Sequence, residues 1–314
     1  MGLFNTVLLS CLLSSAPGFV VQEDGDTLTL MDGDVPVFVY HIAPVSAPEE
    51  APQELTRAGY IHPLYDPAGA PLTEDYPADH YHHRGVFTAW PDVRVGDRTM
   101  DVWLARDARP HVERWELLRL DDEQVMLRFH TFWSFDETPD MPQVRETLEL
   151  KVFAAEDGAR AMDVSMHYTN SSDEVVSFHG APEANKGYGG LNIRPDATRQ
   201  PLTFTTAMGV LDEDSLHIET PWVDVSYPVS AEEPEGAQSG VAIFQHPENP
   251  GFPHPGWILR HYGFLGVSWP HTESHDLAPG ESFALQYRIL THQGDADSAG
   301  VAGHFDAYQA AIAE

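Results

Sequence analysis

His111-Val112-Glu113-Arg114-Trp115-Glu116-Leu117-Leu118-Arg119-Leu120-Asp121-Asp122-Glu123-Gln124-Val125-Met126-Leu127-Arg128-Phe129-His130-Thr131-Phe132-Trp133-Ser134-Phe135 reads as two long extended runs around an acidic turn. Polar and apolar residues alternate along both, so every second side chain faces a common core, the mark of a half-buried antiparallel sheet. The pattern repeats at 144–154 and 161–170 around Glu156-Asp157-Gly158. Upstream, 27–40 is a hairpin around Asp32-Gly33. Further strands are predicted at 175–180, 202–206, 240–245, 263–269 and 283–292, and Val301, Phe305, Tyr308 and Ile312 recur at helical spacing in the tail. The fold class is therefore all-β: one large antiparallel β-sandwich over residues 20–314, closed by a short C-terminal helix.

Composition narrows the partners. Acidic residues outnumber basic ones 49 to 17 over 314 residues, a formal charge of −32. That argues against nucleic acid or an anionic membrane, both of which need basic surface. It suits a soluble exported protein or one from a saline habitat. Residues 1–16 carry an apolar run ending in Ser14 and Ala16, which predicts a signal peptide and a periplasmic or extracellular location, although its usual basic start is missing. Cys11 is the single cysteine, so no disulfide can form within the chain and no cysteine-based metal site exists. No later apolar stretch is long enough to span a bilayer.

The chemistry-bearing stretch is Glu74-Asp75-Tyr76-Pro77-Ala78-Asp79-His80-Tyr81-His82-His83-Arg84-Gly85, which crowds three imidazoles among carboxylates. Imidazole titrates near neutrality and ligates metals. In an extended chain His80, His82 and Arg84 share one face and His83 takes the other. Arg84 could then hold a carboxylate or an anionic substrate group. The same cluster, with a distant partner, could hold a divalent metal as an N/O site. The alternative is a hydrogen-bonded loop with Asp75 and Asp79 in turns around Pro77.

Three other segments are rich in polar groups on stiff backbone. The glycine-rich loop 177–195 carries Glu183, Lys186, Tyr188 and Arg194, without the spacing of a phosphate or dinucleotide loop. Trp222, Asp224 and Ser226 share one face of a strand, a pairing that suits a sugar's C–H face and hydroxyls, or else a core tryptophan with an incidental acid. The proline-stiffened run 246–263 adds His246, His254, Trp257 and Arg260; His271 and His275 follow as ordinary loop histidines. No nucleophile elbow, zinc-protease helix or EF-hand loop occurs.

The blocks His62-Pro63, Asp75-Tyr76-Pro77-Ala78-Asp79-His80 with His82-His83-Arg84-Gly85, Lys186-Gly187-Tyr188-Gly189-Gly190-Leu191 with Arg194, Trp222-Val223-Asp224, His246-Pro247-Glu248-Asn249-Pro250 and Pro279-Gly280-Glu281 resemble, in order, a bacterial family labelled PmoA-like. The resemblance implies a galactose-mutarotase-like supersandwich, as in sugar epimerases, polysaccharide lyases and parts of glycosidases. It carries Asp79, His80, His82, His83, Arg84, Lys186, Arg194, Asp224 and His246 over as candidates without assigned roles. The resulting expectation is an exported carbohydrate-active enzyme, acting on a sugar or other small polar substrate by hydrolysis, β-elimination or epimerisation. His82 or His83 would be the general acid/base. Arg84, Asp79, Lys186 and Asp224 would assist, and His80, Tyr188, Arg194, Trp222, His246, Trp257 and Arg260 would bind substrate, all in one concave pocket. The rivals are a non-catalytic carbohydrate-binding module and a metal-dependent oxidoreductase. Oligomeric state is left open.

Overall fold

The computed structural model describes residues 18–183 and 186–313; the expected leader lies outside them. The described chain forms an eight-stranded, a nine-stranded and a four-stranded sheet, all antiparallel, with one α-helix at Val301–Ile312. The acidic-turn hairpin is strands Ala108–Leu120 and Gln124–Phe135. It continues through Val144–Phe153, Ala159–Asn170, Ser282–Gln293, Gln238–Gln245, Trp222–Pro228, Thr203–Thr206 and Gly209–Leu211 as the nine-stranded sheet. The predicted hairpin at the start is Thr27–Asp32 with Val35–His41, extended by an edge strand Phe19–Asp24 that the sequence pattern did not announce.

The two large sheets pack face to face. Leu127 opposes Leu150, Leu150 opposes Val164 and Val164 opposes Tyr287, so one alternation of the nine-stranded sheet faces inward as a continuous apolar layer. Tyr40 from the other sheet stacks on Phe129 at 3.8 Å, and Thr88 donates to the buried Glu146 carboxylate at 3.1 Å. Burying such faces from water is the main stabilising term of a sandwich.

The opposite alternation faces away from this core and creates two outer surfaces. On the eight-stranded sheet Asn192 opposes both Phe87 and Gly266, and Arg260 opposes Phe264, which places these residues outward. On the nine-stranded sheet Trp222 opposes Phe244, which opposes Arg288, while Asp224 opposes Ala242. The C-terminal helix lies over part of this second surface, packing Val301, Phe305 and Tyr308 on Trp222, Phe244 and Leu290. Backbone packs closely on backbone at Gly85, where a Cβ would sit 2.2 Å from the Ile61 carbonyl oxygen. No larger residue fits there, and the histidine stretch is pinned at that point against strand Tyr60–Leu64.

Candidate functional site

The histidine stretch is not a strand. His80 N–H bonds the Pro77 carbonyl at 2.9 Å and His83 N–H bonds the His80 carbonyl at 2.8 Å, giving two consecutive turns. The expected divergence of neighbouring histidines is therefore corrected: the turns bring all three rings together. His80 and His83 stack with centroids 4.7 Å apart and planes 3° from parallel, and His82 meets both edge-on at 5.6 and 4.5 Å. The stack continues through Tyr262 on the far side of His80, at 4.7 Å, and Phe264 beside His83, at 4.8 Å.

These rings line a cavity of about 180 Å³ on the outer face of the eight-stranded sheet, together with Trp103, Lys186, Tyr188 and Arg260. It is smaller than the roughly 300–1,000 Å³ of clefts that take drug-sized ligands, and it suits one small polar molecule. Behind it the fully buried Arg194 gathers three partners: Asp79 at 2.8 Å, Glu74 at 3.2 Å and His83 Nδ1 at 3.4 Å. A guanidinium can only donate, so His83 Nδ1 accepts and the ring carries its proton on Nε2. His80 Nδ1 lies 3.0 Å from Asp79 Oδ2, an ion-pair distance that favours the tautomer with its proton on Nδ1 and the lone pair on Nε2. The two stacked imidazoles are thus set in opposite tautomers.

Electrostatics keep the inner rings neutral. Burial, then His80 and the Arg84 and Arg194 guanidiniums, push His82 down to about 4. Burial, His82 and Arg194 drive His83 well below the ordinary imidazole range. Burial raises the Asp79 carboxyl, but the His80 hydrogen bond and Arg194 outweigh it, so it ends below its usual value. Burial, with Glu183 and Asp101 nearby, pushes the Tyr188 phenol up to about 12, so it stays protonated. Among the described residues no group of three or more His, Cys, Asp or Glu is arranged to hold a metal ion.

Residues 27–306 match a family described as a family of unknown function, DUF6807. The chain belongs to that family. The PmoA-like resemblance is corrected accordingly, since the matched family carries no such label. No curated protein matches the chain. Solved structures similar to it include the GH36 α-galactosidase AgaB from Geobacillus stearothermophilus, at 13% identity and a TM-score of 0.42 over 88% of this chain and 41% of that one. Another is the heparan sulfate lyase HepC from Pedobacter heparinus, at 10% identity and a TM-score of 0.39 over 89% of this chain and 36% of that one. The chain spans only about two fifths of these proteins, and nothing about its own activity follows from either.

Several expected site residues lie elsewhere. Arg84 is spent internally: it donates to the Tyr81, His83 and Leu55 carbonyls, packs 3.4 Å over the Tyr76 ring and has no exposed surface for substrate. Arg194 supports the histidines from behind and does not line the cavity. Trp257 points inward, fully buried, with its indole N–H on the Thr220 carbonyl at 2.8 Å. Trp222 and Asp224 do share a strand face, but it is the outer face of the nine-stranded sheet, away from the histidines. There Trp222 packs under the C-terminal helix, and Asp224 is fully buried between His292 at 2.7 Å and Ser226 at 2.5 Å. His246 lines a different cavity on that same face. The single convergent pocket therefore divides. His80, His82, His83, Lys186, Tyr188 and Arg260 come together, while Arg84, Trp222, Asp224, His246 and Trp257 do not. Trp103, Tyr262 and Phe264 are lining residues that sequence reasoning missed; for Tyr262 the signal was its place in the aromatic-rich run after Arg260.

Among the described residues, no helix is long and apolar enough to cross a membrane.

Proposed function

We propose that the histidine cavity binds a small sugar acid and moves a proton at the carbon bearing its carboxylate, by β-elimination or epimerisation. The observation that carries this reading is the composition of the lining: imidazoles, two phenols, Lys186 and Arg260, with no carboxylate among the described residues. Glycoside hydrolysis by the usual route needs two carboxyl groups roughly 5–10 Å apart across the bond, and this cavity offers none. Proton abstraction beside a carboxylate needs a base, a fixed positive charge and a proton donor.

Each role has a residue. His80, with Asp79 on its Nδ1, presents Nε2 as the base. Lys186 and Arg260 take the substrate carboxylate, whose charge grows as the proton leaves. Tyr188 stays protonated and serves as donor. In elimination, His80 takes the proton on the carbon bearing the carboxylate, and the electron pair closes a C=C bond. The C–O bond at the next carbon breaks, and its oxygen takes the Tyr188 proton. In epimerisation a proton returns to the opposite face of the same carbon. Tyr262, 39% exposed at the end of the ring stack, offers a surface for the sugar's C–H face.

The test is to incubate the full chain with uronic-acid monosaccharides and short oligomers. Ultraviolet absorbance reports a new C=C beside the carboxylate, and NMR in deuterated water reports exchange at that carbon. His80→Ala should lower the rate by about 10²–10⁴ while the protein melts like wild type. Full activity in that variant, or no turnover of any uronate, overturns the reading; ligand binding without turnover makes the cavity a binding module.

A further inference from the structure

The outer face of the nine-stranded sheet holds a second, larger cavity of about 670 Å³, beside the C-terminal helix. A neighbouring hollow of about 400 Å³ shares Glu149 and Ser165 with it, so the two form one groove across the strands Gln124–Phe135, Val144–Phe153, Ala159–Asn170 and Ser282–Gln293. This groove and the histidine cavity lie on opposite outer faces of the sandwich.

Its charges are mostly consumed. Arg128 binds Glu149 at 2.5 Å, and Arg288 binds both oxygens of Asp163, at 2.6 and 2.9 Å. The Arg288 guanidinium also lies 4.3 Å from the Tyr308 ring and 5.2 Å from Phe153. Lys151 is the exception. Its ammonium sits 4.7 Å over Phe153 and has no carboxylate partner among the described residues.

That exception is sharper when every cation is followed. The chain has two lysines, Lys151 and Lys186, and all its other basic residues are arginines. Each arginine except Arg57 has a carboxylate within 4 Å. Arg57 is buried and donates to the Thr88 and Val102 carbonyls. Among the described residues the two lysines are left without an anion, in a chain with 49 acidic residues, and each lines a cavity.

We infer that the groove is a separate binding site for an acidic oligosaccharide, with Lys151 holding a carboxylate of one sugar unit. Phe153 supplies aromatic surface, and Gln286, Ser165 and His246 supply hydrogen bonds to hydroxyls. The overall charge does not forbid this. At physiological salt the Debye length is about 8 Å, so distant acids are screened. Within the groove Arg128, Lys151 and Arg288 balance Glu149, Glu156 and Asp163. The site is independent of the histidine cavity, and both could engage different stretches of one polymer.

Calorimetric titration of the Lys186→Gln protein, with the histidine cavity weakened, isolates the groove. A galacturonate hexamer should bind, more weakly as salt rises, and a glucose hexamer should bind at least tenfold more weakly. Adding Lys151→Gln should cost tenfold or more in affinity for the acidic hexamer and leave the melting temperature unchanged. No remaining binding in the Lys186→Gln protein, or binding indifferent to Lys151 or to the sugar's charge, overturns the inference.

Discussion

Replacing Asp224 with Asn tests whether this acid is structural. Asp224, Ser226 and His292 form a network whose charged pair has no exposed side-chain surface. Burial pulls the His292 imidazole down, but the hydrogen bond and charge of Asp224 outweigh it, so its proton affinity ends above the ordinary value. Such a group stabilises the fold fully below its unfolded pKa, about 6.5, and the contribution is lost as pH rises through the folded pKa. Asp224→Asn removes the charge and leaves a buried imidazolium uncompensated, a loss of about 3–5 kcal/mol. For a chain of this size about 2 °C accompanies each kcal/mol, so the variant should melt roughly 6–10 °C below wild type at pH 6. The gap should narrow as pH rises through the folded pKa of His292, where the wild-type imidazole also loses its proton. The assay is a set of thermal melts from pH 5.5 to 9, with uronate binding measured in parallel. A variant that melts like wild type at pH 6, or one that keeps its stability and loses uronate binding, would refute the structural assignment.

Two further substitutions probe the core and the cavity. Trp257→Ala should cost about 3–5 kcal/mol through the void it opens, and binding by the protein that remains folded should be unchanged; normal melting with lost binding would move Trp257 into the site. His82, held neutral to about 4, should give the opposite pH sign to His292: the unfolded chain takes up its proton first, so stability falls as pH drops from about 6.5 toward 4. His82→Gln should flatten that acid limb, and an unchanged melting profile from pH 7 to 4 would show that the ring is not buried neutral.

The strands were legible because burial in a sandwich has a period of two. Val125, Leu127, Phe129 and Trp133 face the core and could be picked out by alternation alone. The same rule failed at His80–His83, where turns replaced the expected strand and brought adjacent rings together. It worked locally at Trp222 and Asp224, which do share a face, yet it could not say which outer surface that face belongs to. Sheet order decides that, and strand Trp222–Pro228 joins the sheet opposite the histidines. Arg84 and Arg194 misled for a related reason. A cation beside histidines looks the same in sequence whether it meets a substrate or backbone carbonyls and carboxylates behind the pocket.

In the proposed reaction Arg194 acts without touching a ligand. An acid–base pair is usually obtained by giving two groups different pKa values, which ties activity to a narrow pH range. In this cavity the division is made by tautomer. Arg194 forces His83 to accept on Nδ1 and keep its proton on Nε2, while Asp79 draws the His80 proton to Nδ1 and frees Nε2. His80 then presents a lone pair and His83 an N–H on their Nε2 atoms. Asp79 links the two settings, because it is paired with Arg194 and adjoins His80. Moving one carboxylate would therefore disturb both rings together, and in the proposed reaction Asp79 is a positioning residue.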